Sequence, residues 1–223
     1  MRRNKITASD SPVIMEVSPW STPFQLWQQK LMGTEREKSQ AMQRGIDLEA
    51  SARVWFNQEM YATTVPDVKL SRRRDWMLAS ADGWDAFKRV LVEIKCPGKA
   101  DHEKALAGEI PEKYMPQLQH QMEVYCVDHM YYVSYDGYKG HIIEVMRDES
   151  YVAKMIEKEL SFLECIECVV AQKMTDRDCT VRSDPDFVAT AKEWAFLNKQ
   201  LKDLESKEDA ARKKALADEI GVL

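Results

Sequence analysis

Asp82, Glu93 and Lys95 are the residues of this chain whose types and spacing suit them to chemistry. The stretch LVEIKCPGK, residues 91–99, puts an acid and a base two apart inside an apolar run. A strand turns successive side chains to opposite faces, so Glu93 and Lys95 share one face while Leu91, Val92, Ile94 and Cys96 surround them. Ten residues separate Asp82 from Glu93, and a loop such as GWDAFK can return the chain so that two antiparallel strands bring both carboxylates to one end of a sheet. Converging, part-buried carboxylates repel and favour protonation unless a cation compensates them. Oxygen donors without histidine suit Mg²⁺, or Mn²⁺, rather than zinc, and the carbonyl of Ile94 can add another oxygen. Lys95 can then orient or deprotonate a water aimed at a phosphorus atom. A second ion, held through Glu49, would stabilise the leaving oxygen, which makes two metals per site the expectation. For an isolated Glu-x-Lys the plain alternative is a surface ion pair.

The elements that must position these residues are legible in outline. A Thr-Pro start predicts a helix over 22–32, and a longer helix follows over 35–60. On the second, Met42, Ile46, Glu49, Val54 and Phe56 lie near one stripe, which sets Glu49 among apolar neighbours. VPDVKLS, DWMLASADG and KRVLVEIKCP read as a three-stranded meander with Asp82 ending its second strand. Then come a helix over 111–127, two strands joined by a turn near Asp136-Gly137 or Lys139-Gly140, and helices over 149–173. TDRDCTVRSDPDF is polar and aperiodic, a linker, before Asp184 and Pro185 open a last helix. Phe187, Ala191, Trp194, Leu197, Leu201 and Leu204 give that helix an amphipathic stripe.

At 223 residues, with 44% hydrophobic and 31% charged residues, the chain has room for one α/β core and an appendage. No apolar run approaches the roughly 20 residues that span a bilayer, and the N-terminus lacks the apolar core of a signal peptide. An odd count of five cysteines fits a reducing cytoplasm better than a disulfide scaffold. A net charge of −5 argues mildly against a nucleic-acid partner. A cation site must concentrate carboxylates, however, and a local cluster such as SRRRDW can still meet phosphates: it reads either as a solvated turn or as Arg72, Arg73 and Arg74 lining the path of incoming duplex.

Asp82 followed by Glu93-Ile94-Lys95 resembles the metal-binding motif of the PD-(D/E)xK nuclease superfamily. Four stretches in order resemble the YqaJ-like viral recombinase family, the lambda exonuclease family within it: KITASDSPVIMEVSPWSTPFQLW, GIDLEASA, ASADGW through VEIKCP, and YMPQLQHQMEVY. The resemblance implies a restriction-endonuclease-like core, a central mixed β-sheet flanked by helices, with a C-terminal helical extension. It implies Glu49 as the helical acid, Asp82 and Glu93 as metal ligands, Lys95 as the catalytic lysine and Gln119 as a downstream active-site glutamine. Arg2 stands where the family has a phosphate-gripping arginine, and Ser9 is a weaker phosphate contact. The implied activity is 5′ to 3′ digestion of one strand of linear double-stranded DNA by a homotrimer, leaving 3′ overhangs for a single-strand annealing protein in phage-type recombination in a bacterial cytoplasm. A DNA-end-binding recruitment module without catalysis and an endonuclease of the same fold are the rivals.

The expected organisation is a nuclease domain over 1–174, a linker over 175–185 and an amphipathic helix over 186–223. Glu16 stands in IMEVSP where relatives often have glycine. Cys165 and Cys168 form a C-x-x-C within an apolar helix and without a second close pair, so they read as small buried hydrophobes rather than cluster ligands. His120 reads as a helix-face residue, and Trp20, Trp27 and Trp55 as core or interface aromatics.

Overall fold

A computed structural model describes residues 5–33, 39–179 and 184–220. Contacts divide the chain into two units, Met1–Asp178 and Cys179–Leu223. The first opens with strand β1 (Ile6–Thr7), the short helix α1 (Ser11–Ile14), and helices α2 (Pro23–Met32) and α3 (Gln40–Glu59). Local chemistry starts both longer helices. Thr22 and Gln25 form a reciprocal capping box with Pro23 in the first turn of α2, and the Ser39 hydroxyl accepts the Met42 amide at 3.2 Å at the head of α3.

Strands β2 (Val65–Leu70), β3 (Met77–Asp85) and β4 (Val90–Lys95) make the expected antiparallel meander. Helix α4 (Lys99–Leu106), a 3₁₀ turn (Glu112–Tyr114) and helix α5 (Met115–Tyr125) then lead to β5 (His129–Tyr135), which pairs with β4 in parallel. Strand β6 (Gly140–Met146) returns antiparallel to β5, and helix α6 (Glu149–Glu167) closes the unit. The sheet is therefore mixed and helix-flanked, as expected. Its central strand β4 is covered on both faces: Leu91 packs with Leu118 and Met122 of α5, while Val92 and Ile94 pack with Ala52 and Phe56 of α3.

Three elements were not foreseen, because β1, α1 and α4 are too short to show a period: two, four and eight residues. Two expectations need correction. Asp82 lies inside β3, three residues before its end. The apolar stripe on α3 is not one face: Phe56 is buried, while Met42, Ile46 and Val54 are exposed. The face turned to the sheet is set by where Ala52 and Phe56 meet Val92 and Ile94, information that hydropathy along one helix lacks.

In the second unit, helix α7 (Pro185–Ile220) begins where expected, with the Asp184 carboxylate accepting the Phe187 amide at 3.0 Å. Trp194, Leu197, Leu201 and Leu204 are exposed along it. No helix among the described residues is long and apolar enough to cross a membrane.

Two glycines test this packing in opposite directions. A Cβ at Gly83 would lie 2.6 Å from both Thr64 Oγ1 and Val92 Cγ1, whereas one at Gly45, in α3, meets nothing within 4 Å. Gly83→Ala should therefore cost about 1–3 kcal/mol in a thermal melt, and Gly45→Ala should gain roughly 0.5–1 kcal/mol.

Candidate active site

The site lies where one edge of β3 changes partners. The carbonyls of Trp76 and Leu78 accept the amides of Ile6 and Ala8 at 2.8 and 3.1 Å, while β4 pairs with β3 only at Gly83, Trp84 and Asp85. Between these two partners side chains take over. The Ser80 carbonyl accepts Gln121 Nε2 at 2.8 Å, and the Asp82 carbonyl accepts Arg53 Nη1 at 2.8 Å. Buried backbone groups need partners, and a parted ladder leaves several for side chains to answer. The Asp82 carboxylate does the same for the other strand, accepting the Ile94 amide at 2.7 Å.

The period of β4 places Glu93 and Lys95 together on the α5 side. Glu93 is 3% exposed, and its Oε1 accepts Lys95 Nζ and Gln117 Nε2, each at 2.5 Å, while its Oε2 accepts Gln121 Nε2 at 2.5 Å. Gln117 and Gln121 are four apart on α5 and so share one face. Lys95 Nζ also sits 5.5 Å from the centroid of the Tyr114 ring. Burial, and after it the charge of Glu93, pushes the Asp82 carboxyl up to about 8, against the pull of Lys95 and the Ile94 amide. Burial alone would lower the Lys95 ammonium, but Glu93 and Asp82 outweigh it and raise it, so the lysine stands charged between two acids. Burial also pushes the Cys96 thiol up to about 11, which removes it as a nucleophile at neutral pH.

Asp82, Glu93, Ile94 and Lys95 are thus brought together. Glu49 joins at one remove: it is on α3, its Oε1 accepts Arg53 Nη1 at 2.9 Å, and its charge reaches Asp82. Gln119 does not join. Two residues of helix turn it about 200° from Gln117, and there it donates to the Met146 carbonyl at 3.0 Å and accepts the Asp148 amide at 3.0 Å. The glutamines at Glu93 are Gln117 and Gln121, and the spacing in QLQHQ holds the signal, since only its first and last glutamines can share a face.

Arg74 turns inward to Glu123, which is buried and also bound by Arg147 at 2.5 Å, so only Arg72 and Arg73 of the arginine run are exposed. Ser9 is exposed in the turn after β1, its hydroxyl 3.1 Å from that of Thr7. Arg2 lies outside the described residues. His120 is fully buried: Nδ1 lies 2.9 Å from Glu159 Oε1, which also accepts the Ser11 hydroxyl at 2.5 Å, and Nε2 lies 3.2 Å from the Leu78 carbonyl. A carbonyl only accepts, so Nε2 carries a proton there.

Among the described residues, no three His, Cys, Asp or Glu side chains gather to hold a metal. The donors that do converge, the repelling carboxylates of Asp82 and Glu93, are hard oxygens, and their chemistry fits a magnesium-like cation. Glu49 stands beside this pair of acids, held through Oε1 by Arg53.

Residues 1–126 match the family described as the YqaJ-like viral recombinase domain. The chain is 25% identical over 168 residues to the uncharacterized protein YqaJ of Bacillus subtilis (strain 168), covering 72% of this chain and 53% of that protein, and so spans about half the length of that curated relative. It is similar to the alkaline exonuclease LHK-Exo of Laribacter hongkongensis, at 28% identity and a TM-score of 0.64 over 75% of this chain and 90% of that one. The same exonuclease in complex with dAMP gives 27% identity, a TM-score of 0.64 and the same coverage, 75% and 90%. A phage-related exonuclease of Haemophilus somnus 129PT, at 13% identity and a TM-score of 0.57 over 74% of this chain and 95% of that one, shares the fold. The restriction-endonuclease-like core expected from sequence is the fold of this chain.

The raised Asp82 carboxyl has a consequence for stability. An acid whose folded pKa lies above its unfolded value contributes most at low pH, and that contribution falls as pH rises from about 3.8 through about 8. In chelator-treated protein, Asp82→Asn should therefore raise Tm by roughly 2–4 °C at pH 9 and by much less at pH 5. A gain that does not grow with pH would show that Asp82 is an ordinary surface acid.

Proposed function

The chain belongs to the YqaJ-like viral recombinase domain family, and on that premise we propose that it is a divalent-cation-dependent deoxyribonuclease acting as a 5′ to 3′ exonuclease on linear duplex ends. The observation that carries the reading is the part-buried cluster of Asp82, Glu93 and Lys95, with Gln117 and Gln121 clamping Glu93. Opposed charges buried together at a break in a sheet are costly to fold unless the site uses them. Similarity to an alkaline exonuclease supports the class of reaction.

In this reading Asp82, Glu93 and the Ile94 carbonyl hold Mg²⁺ or Mn²⁺, which when bound polarises a phosphate and acidifies a water. Gln117 and Gln121 fix both oxygens of Glu93, so the carboxylate meets its ligand without searching rotamers. Lys95, held charged by the acids, orients the attacking water and answers the negative charge that grows on the phosphate oxygens. Exposed Arg72 and Arg73 contact the duplex backbone, with Ser9 and Arg2 at the terminal phosphate. Glu49 assists a second ion. A ring-shaped homotrimer, 3′ overhangs passed to an annealing protein and action in the cytoplasm of a phage-infected bacterium complete the proposal.

The test is digestion of linear duplex DNA with 5′ or 3′ labels, beside covalently closed circles, with Mg²⁺ or chelator. Release from 5′ ends only, with circles intact, is expected. Cut circles would make it an endonuclease, and bound but undigested ends a recruitment module. Lys95→Ala should lose about a hundredfold or more. Gln117→Ala should lose roughly tenfold, whereas Gln119→Ala should lower Tm and leave the rate nearly unchanged.

A further inference from the structure

Among the described residues, Arg53 is the side chain whose hydrogen bond joins α3 to the strand carrying Asp82 at the site itself. Its Nη1 lies 2.9 Å from Glu49 Oε1 and 2.8 Å from the Asp82 carbonyl, so a single nitrogen uses its two hydrogens to bridge an acid on a helix and a main-chain oxygen on β3. The carbonyl is one of those that β3 exposes where β1 has ended and β4 has not yet joined. A helical pair four apart would by itself hold Glu49 weakly, because exposed pairs of that kind contribute little. The second bond changes this: Arg53, whose side chain is 17% exposed, is anchored on rigid strand backbone, while Glu49, at 36%, depends on it for its direction.

We infer that Arg53 is a positioning residue that holds the Glu49 carboxylate toward the Asp82–Glu93 acids, acting on a bound cation only through Glu49. The inference rests on the metal-dependent reading above. Arg53 engages Glu49 Oε1, which leaves Oε2 outside that ion pair. Lysine cannot replace it fully, since the two Nη1 hydrogens are fixed in the guanidinium plane, whereas an ammonium on a flexible stem rotates and holds no set angle between two acceptors.

Calorimetric titration of the DNA-free protein with Mn²⁺ tests this without relying on turnover, using wild type, Arg53→Met, Arg53→Lys, Glu49→Gln and the Arg53→Met/Glu49→Gln double variant. Arg53→Met should weaken Mn²⁺ binding about tenfold, Arg53→Lys by less, and the double variant no more than Glu49→Gln alone. In digestion, Arg53→Met should raise the Mg²⁺ concentration needed for half-maximal rate while the rate at saturating Mg²⁺ recovers. Additive losses in the double variant, or wild-type Mn²⁺ affinity in Arg53→Met, would overturn the inference, as would a wild type that binds no Mn²⁺. A wild type that binds Mn²⁺ but digests no DNA overturns the nuclease reading alone, because the binding cycle still decides the role of Arg53.

Discussion

A carboxyl group sealed between a sheet and a helix is costly to bury unless each of its oxygens is answered, and Glu93 is such a group. Lys95 and Gln117 meet one oxygen and Gln121 the other. Each partner depends on a larger feature. Lys95 is there because β4 runs on past its last pairing with β3, and the glutamines are there because α5 lies across β3.

The seating of α5 is correspondingly polar. Four consecutive or near-consecutive buried residues on it each find a different partner: Gln119 at the β6–α6 junction, His120 at Glu159, Ser11 and Leu78, Gln121 at Ser80 and Glu93, and Glu123 at Arg74 and Arg147. Apolar packing tolerates small rotations, whereas a helix that must satisfy hydrogen bonds on several sides has one rotation that does so. That rotation presents Gln117 and Gln121, and not Gln119, to the site. The cost is visible in Asp82, whose carboxyl is pushed up by burial and by Glu93, a strain kept at the point where a cation would relieve it.

The parted edge of β3 explains why the chemistry sits there. A continuous ladder would use up every carbonyl along that edge, whereas the interval between β1 and β4 leaves Ser80 and Asp82 to side chains from two helices on opposite faces of the sheet. Arg53 enters from α3 and Gln121 from α5, so groups far apart in the chain converge on neighbouring backbone atoms.

The sequence by itself determined the elements whose signals are local: the capped starts of α2 and α7, the meander, and the pairing of Glu93 with Lys95 on one face, which follows from the two-residue period of any strand. Its ordered motifs also determined the family and with it the fold class. It did not determine which glutamine of QLQHQ faces the acids, that Arg74 turns to Glu123, that Arg53 bridges Glu49 to Asp82, or that His120 is buried. Those depend on the rotation of α5 and on where β3 exchanges one partner strand for another, and both are set by contacts between segments tens to more than a hundred residues apart. A side chain's period along its own element fixes its neighbours on that element, and only packing fixes what that face meets.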